Sequence, residues 1–144
     1  MLSESDLVKY NRASLYTFWT TEKIRYSDLD TNRHVNNAIY ISIVECARIE
    51  FRATTTKGLG VEGWVIAAQT IRYLKPSQYP GELRIGTGVV SIGRTSFVLA
   101  YGVFQDEICV AVASTRSVCV DDDGKPAILP EQLRGVLESY KIEL

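Results

Sequence analysis

The sequence predicts an α+β fold in which one long central helix is wrapped by a curved, mostly antiparallel sheet. Three observations predict it. Between Ala38 and about Thr54, Tyr40, Ile43, Val44, Ala47 and Phe51 recur at helical spacing on one continuous face. After Gly63 four strand-like segments follow one another with short connections, and strands joined so tightly are expected to be antiparallel neighbours. The helix is apolar nearly all round at its start, with Ile39, Ile41, Cys46 and Ile49 spreading beyond the main face, so it needs cover on most sides. A sheet that curls around it supplies that cover.

Taken in order, residues 15–27 are rich in aromatic and β-branched side chains and read as a first strand. Residues 28–37 have turn and cap chemistry, with Asn36 or Asn37 as the helix N-cap. The helix ends in Thr54-Thr-Thr-Lys-Gly-Leu-Gly60, where Gly58 or Gly60 terminates it. The second strand spans Trp64–Leu74 and is closed by Pro76 and Pro80. In the third, Leu83, Ile85, Thr87 and Val89 alternate with Arg84, Gly86, Gly88 and Val90, and the two glycines permit bending or close approach of another backbone. Gly93-Arg94-Thr95 turns into a fourth strand carrying Phe97, Leu99, Tyr101 and Val103. Gln105-Asp106-Glu107 turns into a fifth, from Ile108 to Val120. A terminal helix is expected over 129–140. The 144 residues suit one domain, 1–144, with its core over about 15–122.

Composition narrows the function classes. With 46% hydrophobic and 23% charged residues and a net charge of -1, the chain is ordinary for a globular protein and lacks the basic footprint of a nucleic-acid binder. The first ten residues carry Glu4, Asp6 and Lys9 and no apolar signal core, and no apolar run approaches the ~20 residues of a membrane span. Cys46, Cys109 and Cys119 are odd in number, lack CxxC spacing and read as buried thiols, which fits a cytoplasmic location. Gly58-Leu-Gly60 and Gly86-Thr-Gly88 match no phosphate or dinucleotide loop, and the run Asp121–Asp123 lacks the ligand spacing of a calcium loop. No metal, cofactor, nucleic-acid or membrane partner is therefore expected.

The chemistry concentrates in Arg25-Tyr-Ser-Asp-Leu-Asp-Thr-Asn-Arg-His-Val-Asn-Asn37, which holds two carboxylates, three asparagines and the chain's only histidine just ahead of the long helix. Unpaired N–H groups at a helix start favour negative charge, so this junction can hold an oxyanion while a nearby group handles water or a proton. Asp30 can activate water or attack a carbonyl; Asp28 and Asp30 equally suit turn and capping roles. His34 has the right ordinary pKa for proton transfer, although a lone histidine is as readily structural. Asn32, Asn36 and Asn37 can orient water, donate to a carbonyl or cap the helix. Lys75, Arg72, Arg84 and Arg94 are the candidate phosphate binders. Arg94 leads because Thr95 and Ser96 add donors beside it.

Together these residues resemble the hotdog-fold thioesterases, in particular the acyl-CoA hydrolases similar to 4-hydroxybenzoyl-CoA thioesterase. The resemblance rests on Tyr26-Ser-Asp-Leu-Asp-Thr-Asn-Arg-His-Val-Asn-Asn-Ala-Ile-Tyr40 and on Glu45 and Arg48. It continues through Ile71-Arg-Tyr-Leu-Lys-Pro76, Gly81-Glu-Leu83 and Gly93-Arg-Thr-Ser-Phe97, and covers roughly residues 17–120. It implies a hotdog fold, an acyl-CoA substrate, and a homodimer made by joining two sheets, many members pairing further into tetramers. It also implies Asp30 as catalytic base or nucleophile, polarisation of the thioester carbonyl by N–H groups at the start of the helix, and a site shared between subunits. His34 and Asn32 then orient Asp30 or the water, and Tyr40 and Ile43 line an acyl tunnel. The segment is also similar to plant acyl-carrier-protein thioesterases, whose Asp-x-Asn-x-His-Val-Asn-Asn pattern is met by Asp30, Asn32 and His34. Their second hotdog repeat and its acid have no counterpart here, where the place reads Tyr73-Leu-Lys-Pro76. Two other activities suit the fold: hydration or dehydration of an acyl thioester, and acyl-CoA binding without turnover.

Overall fold

The computed structural model describes residues 1–61 and 63–144. Its elements are α1 (Glu4–Leu7), β1 (Phe18–Lys23), α2 (Ile39–Thr55), β2 (Trp64–Tyr73), β3 (Glu82–Ile92), β4 (Ser96–Gln105), β5 (Ile108–Cys119) and α3 (Glu131–Ser139). The five strands form one antiparallel sheet in the order β1-β3-β4-β5-β2, and α2 packs on one face of it. This is the α+β hotdog arrangement expected from the sequence.

The stripe Tyr40, Ile43, Val44, Ala47 and Phe51 is buried as its spacing predicts. It meets Leu83, Ile85, Val89, Leu99 and Tyr101, the alternate residues of β3 and β4. Behind the stripe, Thr55 and Thr56 hydroxyls donate to the carbonyls of Phe51 and Arg52, at 2.6 Å each, and Gly58 and Gly60 take left-handed φ values of 80° and 62°. The helix ends at Thr55 with Thr56 as its C-cap, so the two glycines shape the turn beyond the end and, contrary to expectation, do not themselves terminate the helix.

Several expectations need correction. The first strand is shorter than 15–27, because Ala13–Leu15 and Tyr26–Asp28 are 3-10 turns. β2 and β3 are consecutive but not neighbours; β2 lies at the sheet edge beside β5. The reason lies in residues 74–81, whose backbone serves other partners. Ser77 O accepts from Val35 N–H at 3.2 Å, and Gln78 is bracketed by Gln105, which accepts from its N–H and donates to its carbonyl. A segment committed this way crosses the sheet end instead of folding back as a hairpin. Only Cys119 is buried; Cys46 is exposed and Cys109 lies between. Position 46 falls off the buried stripe, and so do Ile41 and Ile49, which are 53% and 51% exposed. The outer side of α2 is thus open in a single chain.

The opposite face of the sheet is closed by the chain's own ends. Tyr10 and Tyr16 form a second cluster with Ala100 and Phe104, Leu15, Trp19 and Ile142 packing around it. Tyr16 fits because β3 and β4 carry glycine beneath it: a Cβ at Gly86 would fall 2.7 Å from Tyr16 Cβ, and one at Gly102 would fall 2.8 Å from Tyr16 Cε2. The close approach is by side chains, not by backbone. Gly86→Ala is accordingly expected to destabilise the fold by roughly 1–3 kcal/mol through overpacking and to free residues 1–17. A lowered Tm with faster proteolysis of the N-terminal arm is the expected result; an unchanged Tm would contradict it. Among the described residues, no helix is long and apolar enough to cross a membrane.

Candidate active site

The chain between β1 and α2 folds into a tight loop closed by a bridge between Leu29 and Val35. Asp30 N–H donates to His34 O at 2.8 Å and Arg33 N–H to Asp30 O at 3.0 Å. Arg33 supplies the turn with a left-handed φ of 59°. Asp30 Oδ1 accepts from two backbone N–H groups, those of Asn32 at 2.8 Å and His34 at 3.1 Å. Asp30 Oδ2 has no hydrogen-bond partner among the described residues.

Its neighbour Asp28 differs in kind. Asp28 is buried, Oδ1 accepts from the Arg25 guanidinium at 3.0 Å, and Oδ2 accepts from Arg25 N–H at 2.8 Å. Both oxygens are committed, so Asp28 is a structural carboxylate. Asp30 is half-buried, fixed through one oxygen and free at the other, the condition a reactive carboxylate needs.

The helix entry provides the complementary group. The N-cap is Ala38, which has no side-chain cap bond, and not Asn36 or Asn37 as expected. Asn36 instead closes the turn ahead of the helix, where Oδ1 accepts from Ala38 N–H at 2.9 Å and its carbonyl from Ile39 N–H at 2.9 Å. Asn36 N–H is used by Asp28 O at 2.8 Å, and Tyr40 N–H by Asn37 O at 3.3 Å. Of residues 36–40, only Asn37 has a backbone N–H without an acceptor among the described residues. A free N–H at a helix start is an anion donor.

These groups meet in one pocket of about 360 Å³. Its walls include Asp30, Asn32, His34, Asn37, Tyr40, Tyr73 and Lys75. Asp30 also borders a second pocket, of about 510 Å³, with Tyr26, Arg33, Gln78 and Tyr79. His34 is held by its backbone, which bridges Gln78 and donates to Asp30. The link between His34 and Asp30 thus runs through the backbone N–H, not through the imidazole. The hydroxyls of Tyr40 and the buried Ser77 share a hydrogen bond. Burial pushes the Tyr40 hydroxyl up from its ordinary pKa, against a smaller opposing effect of the Ser77 bond, so it stays protonated near neutrality.

The remaining candidates lie elsewhere. Asn36 closes the turn before the helix and does not line the pocket. Arg94, Thr95 and Ser96 sit at the β3–β4 turn, whereas the site adjoins the other end of β3, where Ile24 N–H meets Gly81 O. At about 3.3 Å per residue, the length of β3 separates them by roughly 30 Å. One chain does not bring them to Asp30. Among the four candidate cations, Lys75 alone lines the Asp30 pocket; Arg84 lies 4.4 Å over the Trp19 ring, and Arg72 approaches Glu4 at 3.8 Å. Sequence reasoning did not single out Tyr73 as a wall; the only signal was its place in Tyr73-Leu-Lys-Pro76. Among the described residues, no group of three or more His, Cys, Asp or Glu is arranged to hold a metal ion.

Comparison with known proteins bears on the family and the fold. Residues 24–137 match the model of the thioesterase-like superfamily. A protein of Aquifex aeolicus (strain VF5), whose name proposes an esterase, is 25% identical over 122 residues, covering 81% of this chain and 94% of that protein. A solved thioesterase from Thermus thermophilus, complexed with coenzyme A and Zn, is 28% identical with a TM-score of 0.79, covering 88% of this chain and 96% of that one. A predicted thioesterase from Bacillus stearothermophilus is 25% identical with a TM-score of 0.79, over 88% and 98% of the two chains.

Proposed function

We propose, because this chain belongs to the thioesterase-like superfamily, that it hydrolyses an acyl or aryl thioester of coenzyme A to the free acid and the thiol. The observation that carries the reading is that Asp30 and Asn37 line one pocket, and that Asp30 Oδ2 and Asn37 N–H are each without a partner among the described residues. The thioester carbonyl oxygen points at Asn37 N–H, with the dipole of α2 behind it. Asp30 Oδ2 takes a proton from water as the water oxygen bonds to the carbonyl carbon, or attacks that carbon itself to give an anhydride that water then opens. Collapse of the tetrahedral oxyanion breaks the C–S bond, and the sulfur leaves as thiolate and is protonated. Asn32 and His34, on the walls beside Asp30, orient the water. Pockets on both flanks of Asp30 suit a group acting in the middle of a long substrate. The coenzyme A bound to the Thermus protein supports that choice of thiol.

The assembly belongs to the same proposal. β2 is an edge strand, and Val65, Tyr73, Ile41 and Ile49 leave an apolar border along it and the outer side of α2. Antiparallel pairing of two β2 strands would cover this border and form a homodimer. It would also lay the Trp64 end of one β2 beside the Tyr73 end of the other. Val65 and Ser96 both pair with Val118, so Arg94, Thr95 and Ser96 would then approach the partner's pocket and its substrate phosphates.

A thiol-release assay over a panel of saturated, hydroxylated and aromatic acyl-CoAs tests the reading. Stoichiometric release of free thiol and acid from at least one class is expected. Folded protein that releases none, or that adds water to an enoyl-CoA without freeing thiol, would overturn it.

A further inference from the structure

We infer that Tyr73 is a positioning residue for the oxyanion donor, acting through its hydroxyl; the inference rests on the thioester reading of the pocket. Two successive peptide planes decide where Asn37 N–H points. The plane between Asn36 and Asn37 is held at Asn36 O by Ile39 N–H, at 2.9 Å. That bond lies inside the helix-entry turn and moves with it. The plane between Asn37 and Ala38 is held at both ends: Ala38 N–H donates to Asn36 Oδ1 at 2.9 Å, and Asn37 O accepts from the Tyr73 hydroxyl at 2.9 Å and from Tyr40 N–H at a longer 3.3 Å. Among the described residues, only the Tyr73 bond ties Asn37 to the sheet, since the Tyr40 bond lies within the helix entry.

Tyr73 is well placed for that role. It is the last residue of β2, paired with Ala111 of β5, so its backbone is fixed by the ladder. Its ring stands edge-on to Tyr40 at 5.4 Å between centroids, and Tyr40 is itself anchored to Ser77. The aromatic contact holds the aim of the ring, and the hydroxyl transmits it to the peptide beside the donor. The bond is neutral, and Asn37 O keeps its bond from Tyr40 N–H when it is lost, so losing it costs little stability. An oxyanion donor is sensitive to small changes in direction, so losing the same bond costs rate.

Tyr73→Phe keeps the ring and removes the bond. It is expected to lower kcat roughly 5- to 20-fold, short of the roughly 10²–10³ for deleting a donor outright, with KM and Tm unchanged. An unchanged kcat, or a change confined to KM, would overturn the inference. The carbonyl stretch of an acyl-CoA bound to Asp30→Asn separates this claim from the reading beneath it. A downshift from the free thioester that Tyr73→Phe partly reverses supports both. A downshift indifferent to Tyr73→Phe removes Tyr73 and leaves the site standing. A bound carbonyl at its solution frequency removes the oxyanion donor, and the role of Tyr73 with it.

Discussion

Asp30→Asn is expected to lower thioester turnover by roughly 10²–10⁴-fold, the range for losing a positioned base, while the protein stays folded. The asparagine side chain keeps an oxygen where Oδ1 now accepts from Asn32 and His34 N–H, so the loop should close as before. What disappears is the charge and basicity of Oδ2. Asp30→Ala removes the acceptor as well and should add a loss of stability of about 1 kcal/mol, as for a lost cap. Equal losses of turnover in the two variants, with a lowered Tm only in the alanine, would place the effect in the chemistry. Rapid hydrolysis by folded Asp30→Asn would remove Asp30 from the mechanism. Asp28→Asn is the informative contrast, since its damage should appear first in stability, through the Arg25 contacts.

Phe51→Ala is expected to destabilise the fold by roughly 3–5 kcal/mol. Phe51 is almost fully buried, and its ring meets Phe18 edge-on at 5.1 Å and Tyr140 at 5.2 Å. It therefore joins α2 to β1 and to the end of α3, and truncation leaves a cavity where three elements meet. For a chain of this size the Tm should fall by roughly 10–20 °C, with Phe51→Leu intermediate. A loss below about 1 kcal/mol in denaturant unfolding would mean that the helix is not held by this cluster.

The helix was the most legible part of the sequence. Tyr40, Ile43, Val44, Ala47 and Phe51 share a face, and all are buried. Ile41, Cys46 and Ile49 were misleading, because apolar character alone does not say whether the same chain supplies the cover. The edge position of β2 was illegible for a related reason. Pairing with β5 spans some fifty residues, and strand alternation carries no record of which neighbour is chosen. The arm before β1 has short turns without a helical period, and its contacts depend on Gly86 and Gly102 far along the chain.

The site divides in the same way. The segment 25–37 stood out as a concentration of Asp, Asn and His before a helix, although turn and capping roles suit the same residue types. Residue type could not separate Asp28 from Asp30. Arg25 does so by consuming both oxygens of Asp28. Nor could it show that Asn36 closes the turn before the helix while Asn37 N–H has no acceptor among the described residues, because the two asparagines are chemically alike. Tyr73 and Lys75 reach the pocket only through the strand order.

The proposed catalysis depends on one backbone proton, and amide NMR on Asp30→Asn saturated with an acyl-CoA reads that proton directly. A downfield shift of Asn37 N–H larger than that of any other amide between residues 36 and 40 is expected. An Asn37 resonance that stays in place while the ligand is demonstrably bound would contradict it.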